Sequence, residues 1–73
     1  LAKEVVEVPI SGMITTVVCH VGSKVNEGDV ICYLESMKME NPIMAPVSGT
    51  ITEIKVSAKQ VVNSGDVIAV IEC

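Results

Sequence analysis

With 73 residues and a formal charge of −4, the chain is one small domain, or a piece of one, and needs a dense apolar core to fold. Its five lysines are scattered and arginine is absent, so no basic stripe exists to neutralise nucleic-acid phosphates. No apolar run approaches the ~18 residues of a membrane helix, which argues against direct membrane insertion.

Fourteen Val and eight Ile supply most of the apolar content, and Tyr33 is the single aromatic. Stiff β-branched side chains favour pleated strands. No window shows a 3.6-residue apolar period with caps at both ends, so no helix is predicted.

In chain order, Glu4–Val8 reads as a leading strand stopped by Pro9, which cannot donate to a ladder. Ser11-Gly12 makes a turn, and Met13–His20 runs as a strand rich in Val, Ile and Thr. Val21–Asp29 carries turn chemistry in Gly22, Asn26 and Gly28-Asp29, with Val25 within it expected to plug the core. Val30–Glu35 is the next strand. The connection from Glu35 to Asn41 has no glycine, and Pro42 is expected to limit pairing just beyond it. A turn at Ser48-Gly49, a strand Thr50–Ser57, an Asn63/Gly65-Asp66 loop and a strand Val67–Glu72 complete the chain.

The second series echoes the first. Shifted by 37 residues, Pro9–Ser36 aligns without a gap on Pro46–Cys73, with twelve identities. Among them are Ser11/Ser48, Gly12/Gly49, Thr15/Thr52, Asn26/Asn63, Asp29/Asp66 and Glu35/Glu72. One supersecondary unit is therefore used twice. Short strands with regular turn signals indicate a sandwich or a small closed barrel, its halves packed about an approximate two-fold axis. That axis sets the Met37–Pro42 connection opposite the chain termini.

Cys19, Cys32 and Cys73 are an odd number without C-x-x-C spacing, so neither a disulfide framework nor a zinc site is indicated. Cys19 and Cys32 read as packing residues and Cys73 as exposed. No basic segment followed by an apolar stretch opens the sequence. The expected location is the cytoplasm, or an organelle matrix such as that of the mitochondrion. His20 beside Cys19 is not a nucleophile–base pair, because neighbours on a strand face opposite ways. Gly28-Asp29 and Gly65-Asp66 bring too few oxygens together for calcium. Tyr33 is expected to be partly buried with its hydroxyl at the rim.

The stretch Glu35-Ser36-Met37-Lys38-Met39-Glu40 lies near the midpoint. Lys38 is the sole cation between Lys24 and Lys55, held between two thioethers flanked by acids. A tight turn here presents Lys38 outward, with Met37 and Met39 on the opposite side by strand alternation. An exposed primary amine on such a tip suits enzymatic acylation. Nothing in the sequence stands ready to activate it, so activation falls to the modifying enzyme.

This hexapeptide resembles the attachment motif of the biotinyl domain family, the biotin carboxyl carrier proteins, whose usual form is Glu-Ala-Met-Lys-Met. The Pro9-x-Ser11-Gly12 opening, the Val25-x-x-Gly28-Asp29 loop and the Pro46-x-x-Gly49 restart agree along almost the whole chain. The resemblance implies an all-β fold, a flattened barrel of two four-stranded antiparallel sheets with the modified lysine on a hairpin. It implies that biotin is the cofactor, joined to the Lys38 amine as an amide by a biotin protein ligase acting through biotinyl-adenylate. Met37 and Met39, and with them Glu35, would serve ligase recognition. The partners implied are a biotin carboxylase and a carboxyltransferase or decarboxylase, between which the domain carries CO2 without catalysing anything itself.

Ser36 departs from the common Ala, a similarly small residue. The short segment from His20 to Gly28 matches thumbless carriers. Lipoyl domains share the fold and the duplication, but their lysine usually follows Asp and precedes Ala. Unmodified barrel-sandwich modules of membrane-fusion transport proteins lack a lysine at the tip.

Overall fold

The computed structural model describes residues 2–73; Leu1, the first residue of the span read above as one domain, lies outside them. Eight strands form: β1 (Lys3–Glu7), β2 (Gly12–Val17), β3 (Lys24–Val25), β4 (Val30–Ser36), β5 (Met39–Met44), β6 (Gly49–Ile54), β7 (Val61–Val62) and β8 (Val67–Glu72). They make two four-stranded antiparallel sheets, sheet A in the order β1-β8-β6-β3 and sheet B in the order β5-β4-β2-β7. No helix occurs among the described residues. The all-β sandwich expected from the sequence is present, and its halves interlock. Sheet B takes β2 and β4 from the first half and borrows β7 from the second, while sheet A takes β6 and β8 and borrows β3.

The strand faces turned inward carry the core. Ile14, Ile31, Leu34, Ile51, Ile68, Ile71 and Val62 are almost wholly buried, and each such aliphatic side chain contributes roughly 1.5–3 kcal/mol on burial. The duplication is visible in hydrogen bonds as well as in residues. Asn26 N donates to Asp29 Oδ2 at 2.8 Å, and Asn63 N to Asp66 Oδ2 at 2.8 Å. Ser48 Oγ receives Glu27 N while Ser11 Oγ receives Ser64 N, so each half ties down a loop of the other. The strand register slips at Thr15 and again at Thr52. Each threonine hydroxyl turns toward a backbone carbonyl, that of Tyr33 at 3.4 Å and that of Val70 at 3.3 Å.

Gly12 and Gly49 are duplicated for a steric reason. A Cβ built on Gly12 would overlap the carbonyl oxygen of Glu35, and one on Gly49 that of Glu72. Only glycine lets β2 lie this close to the end of β4, and β6 to the end of β8.

Three expectations about elements need correction. The strand expected over Met13–His20 ends at Val17, and that over Thr50–Ser57 ends at Ile54. In both places a four-residue turn intervenes: Ser23 N donates to His20 O at 2.9 Å, and Ser57 N to Gln60 Oε1 at 2.9 Å. The Val21–Asp29 segment, read for its turn chemistry, holds a two-residue strand, and a second one, Val61–Val62, precedes the Asn63/Gly65-Asp66 loop. Val25 and Val62 sit in the core, as expected of Val25, and that anchoring lines Lys24 and Val61 up against Thr50 and Met13. Pro42 does not limit pairing. It lies opposite Tyr33 inside β5, an outer strand of sheet B, where a missing N–H is tolerated.

The pairings also fix the two ends of the molecule, which extends 37 Å along its long axis. Ala2 N donates to Cys73 O and Cys73 N to Ala2 O, so the described chain ends are joined at one edge of sheet A. From Glu72 the register leads across Thr50 to Lys24, and beside Lys24 the Val25–Asp29 loop enters the Val30 end of β4. The opposite end of β4 is Ser36, where the β4–β5 hairpin turns. Tip and termini are at opposite ends, as the duplication required.

Candidate functional site

The β4–β5 hairpin closes with Ser36 opposite Met39, leaving Met37 and Lys38 as a two-residue loop. Both have positive φ, 54° and 66°, the pattern of a type I′ turn, whose twist matches the flanking strands. Asn and Gly are the residues that adopt it at low cost; for other side chains left-handed backbone costs roughly 1–2 kcal/mol per residue. The sequence therefore retains methionine and lysine in a conformation that suits neither, which directs attention to what their side chains do.

Lys38 is exposed. Among the described residues the one ion pair is Lys55, just past β6, with Glu53 on β6, 2.8 Å apart, and no hydrogen bond engages the Lys38 amine. Strand alternation does not apply to Met37 as the sequence implied, because Met37 belongs to the turn rather than to a strand. It is 92% exposed and Met39 is 66% exposed. Neither fills the core, and both thioethers stand in solvent on either side of the amine.

Glu35 lies on β4 directly opposite Glu40 on β5, and both are exposed. The neck of the hairpin thus carries two like charges facing each other, an unfavourable pairing on its own. The Glu40 carboxylate is held by Thr15, whose hydroxyl donates to Oε2 at 2.8 Å. The Thr15–Glu40 contact was not anticipated from the sequence. The Thr15/Thr52 identity carries no signal for it, because Thr52, at the same register slip, bonds the Val70 carbonyl and the counterpart of Glu40 is Lys3.

The remaining polar candidates stay apart from the tip. His20 is exposed beyond the end of β2, its amide bonded to Ser23 Oγ. Cys32 is fully buried, and burial, helped by neighbouring Cys19, pushes its thiol up to about 11. Burial first, then the Asp29 carboxylate, also raises the Cys19 thiol. Cys73 is exposed and Tyr33 half-buried, both as expected. No cluster of three metal-ligating side chains occurs among the described residues. A shallow groove of about 470 Å³ runs between β1 and β5, lined by Val5, Val6, Ile43 and Met44 among others, and none of its lining residues belongs to the tip. Chemically the tip offers one free primary amine on a rigid two-stranded stalk. That suits a group attached by an amide and carried outside the domain.

Comparison with known proteins agrees with this geometry. A family model described as "Biotin-requiring enzyme" matches residues 4–71. The chain is 53% identical over 36 residues to the methylmalonyl-CoA decarboxylase subunit gamma of Propionigenium modestum, covering 49% of this chain and 27% of that one. It is 45% identical over 42 residues to a "Biotinylated protein TB7.3 homolog" of Mycolicibacterium smegmatis, covering 58% of this chain and 59% of the relative. Among solved structures it superposes on the urea carboxylase of Kluyveromyces lactis with a TM-score of 0.91 at 30% identity, over 99% of this chain and 6% of that one. It also superposes on a single-chain, multi-domain long-chain acyl-CoA carboxylase with a TM-score of 0.88 at 26% identity, over 93% of this chain and 7% of that one. The matched stretches span 27% and 59% of the two curated relatives and 7% and 6% of the two solved chains, and the chain belongs to the biotin/lipoyl attachment-domain family of biotin-requiring enzymes.

Proposed function

We propose that this domain is a biotin carrier in which Lys38 bears the cofactor, and that it moves CO2 from a biotin carboxylase site to a carboxyltransferase or decarboxylase site. The observation that carries the reading is the hairpin itself. A lysine occupies a turn position unfavourable to it, exposed, between two exposed methionines, in a chain of the biotin-requiring family.

Attachment needs a biotin protein ligase. The unprotonated Lys38 amine attacks the carboxyl carbon of biotinyl-adenylate; the C–N bond forms, the C–O bond to phosphate breaks, AMP leaves and the nitrogen releases a proton. The turn presents Nζ without any unfolding, and Met37 and Met39 give the ligase two apolar handles on either side of it. The attached ureido ring supplies the chemistry, taking up CO2 at one active site and yielding it at another. The domain contributes position: a tethered group meets each site at a high effective concentration, with the encounter made intramolecular. Relatives named as a decarboxylase subunit and as carboxylases support partners of that type.

Incubation with a biotin protein ligase, biotin and Mg-ATP is expected to raise the intact mass by one biotinyl group, and Lys38→Arg to abolish the gain while keeping the charge. Biotin on the Lys38→Arg variant would refute the assignment. Faster transfer by a lipoate ligase would move the domain to the lipoyl branch, which the methionines on both sides of Lys38 disfavour.

A further inference from the structure

The duplication provides an internal control for the surface around the tip. Just below Lys38, four residues stand side by side across sheet B. Val61 is opposite Met13, Met13 opposite Glu35, and Glu35 opposite Glu40. Directly opposed residues share a face, and this face looks outward. Val61 is 74% exposed, Glu35 and Glu40 are exposed, and Met13 is half-buried.

The equivalent row of sheet A, 37 residues away in each case, reads Lys24, Thr50, Glu72, Lys3. Its backbone pairing is the same, yet it is polar throughout, and a cation stands beside the glutamate. Folding therefore does not demand valine, methionine or a second acid in these places. An exposed valine and two facing carboxylates are tolerated at the end that carries Lys38, whereas the end that carries the termini has the composition of an ordinary solvated surface.

Resting on the reading of Lys38 as the biotinylated residue, we infer that the row Val61–Met13–Glu35–Glu40 is the docking strip for the ligase that acylates it. The complementary surface presents an apolar side chain over Val61 and Met13 and an arginine or lysine against Glu35 and Glu40. Cations there would relieve the repulsion at the hairpin neck. Thr15 keeps one carboxylate in place for them, since its hydroxyl fixes Glu40 Oε2 at 2.8 Å. The ligase fits better than the later partners because it must bring the amine itself to its reacting atoms, and Glu35 is only three residues from Lys38. An enzyme met after attachment is reached through the added arm and has less need of the strand surface.

The test transplants the far row onto the near one. In the variant Met13→Thr/Glu40→Lys/Val61→Lys, each new residue is one that the fold already accepts at the equivalent position. With a biotin protein ligase, biotin and Mg-ATP, kcat/KM for the variant is expected to fall roughly tenfold or more, equivalent to about 1.4 kcal/mol of lost contact with the ligase. The loss should lie in KM, and the ionic-strength dependence of the wild-type reaction should weaken. The mirror variant Lys24→Val/Thr50→Met, at the other end, should keep wild-type kinetics. An unchanged kcat/KM in the triple variant, or an equal loss in the mirror variant, overturns the docking strip. If the triple variant does not melt cooperatively, Val61→Lys and Glu40→Lys singly decide the matter by the same readout. Failure of the underlying reading looks different: wild-type protein would then take no biotin at Lys38.

Discussion

Burial at Cys32 has a consequence that reaches into stability. The side chain is fully buried, and desolvation raises the thiol from 9.0 to about 11, with Cys19 adding to the effect. In the unfolded chain the thiol ionises near its ordinary value, whereas in the folded domain it stays neutral for about another two pH units. Below the unfolded value both states hold the proton and the contribution is constant. Above it the unfolded state binds fewer protons, so stability falls as pH rises from 9.0 to about 11. Denaturant melts of wild type and Cys32→Ala across that window should converge as pH rises, because the variant lacks this thiol. Parallel curves would show that the thiol ionises without penalty in the fold. At neutral pH Cys32 is a packing group, and alkylating reagents should meet Cys73 first.

At the scale of elements, the glycines at the starts of β2 and β6 separate a structural role from a functional one. Ala at either position drives a Cβ into a carbonyl oxygen, that of Glu35 for Gly12 and that of Glu72 for Gly49. Each substitution should cost roughly 1–3 kcal/mol, as overpacking does. Only Gly12→Ala displaces the neck of the Lys38 hairpin, so it should slow biotinylation well beyond Gly49→Ala at matched loss of stability, measured by chemical melts beside ligase kinetics. Equal rates would mean that the neck tolerates displacement. The 37-residue repeat made the paired halves, the buried Val25 and the isolated tip legible before any coordinates, while the two four-stranded sheets came from the family resemblance. It did not reveal the two-residue strands at Lys24–Val25 and Val61–Val62, because their pairing depends on the opposite half and carries no local period. The turn geometry at Met37-Lys38 was hidden for a related reason. Type I′ turns are recognised by Asn or Gly, and Met37-Lys38 offers neither.

For the whole molecule, the decisive feature is that its two ends differ in duty. The backbone amides and carbonyls of Ala2 and Cys73 bond to each other at the edge of sheet A. The hairpin bearing Lys38 leaves sheet B from the other end of a body 37 Å long. A carrier benefits from this polarity. On the proposed function, whatever is joined to the chain ends is kept out of the space that a ligase, and later an active site, would need around the amine. A globular protein fused to either terminus should therefore leave the rate of biotinylation close to that of the unfused domain, since the surface around the tip is untouched. The same protein inserted between Met37 and Lys38 should abolish modification while the two sheets still form, because the tip contributes nothing to the core. Single-turnover biotinylation with far-ultraviolet circular dichroism on the three proteins distinguishes the cases. A terminal fusion that blocks modification as the insertion does would mean that the ligase grips the body along its full length, and the separation of tether from tip would lose its functional meaning.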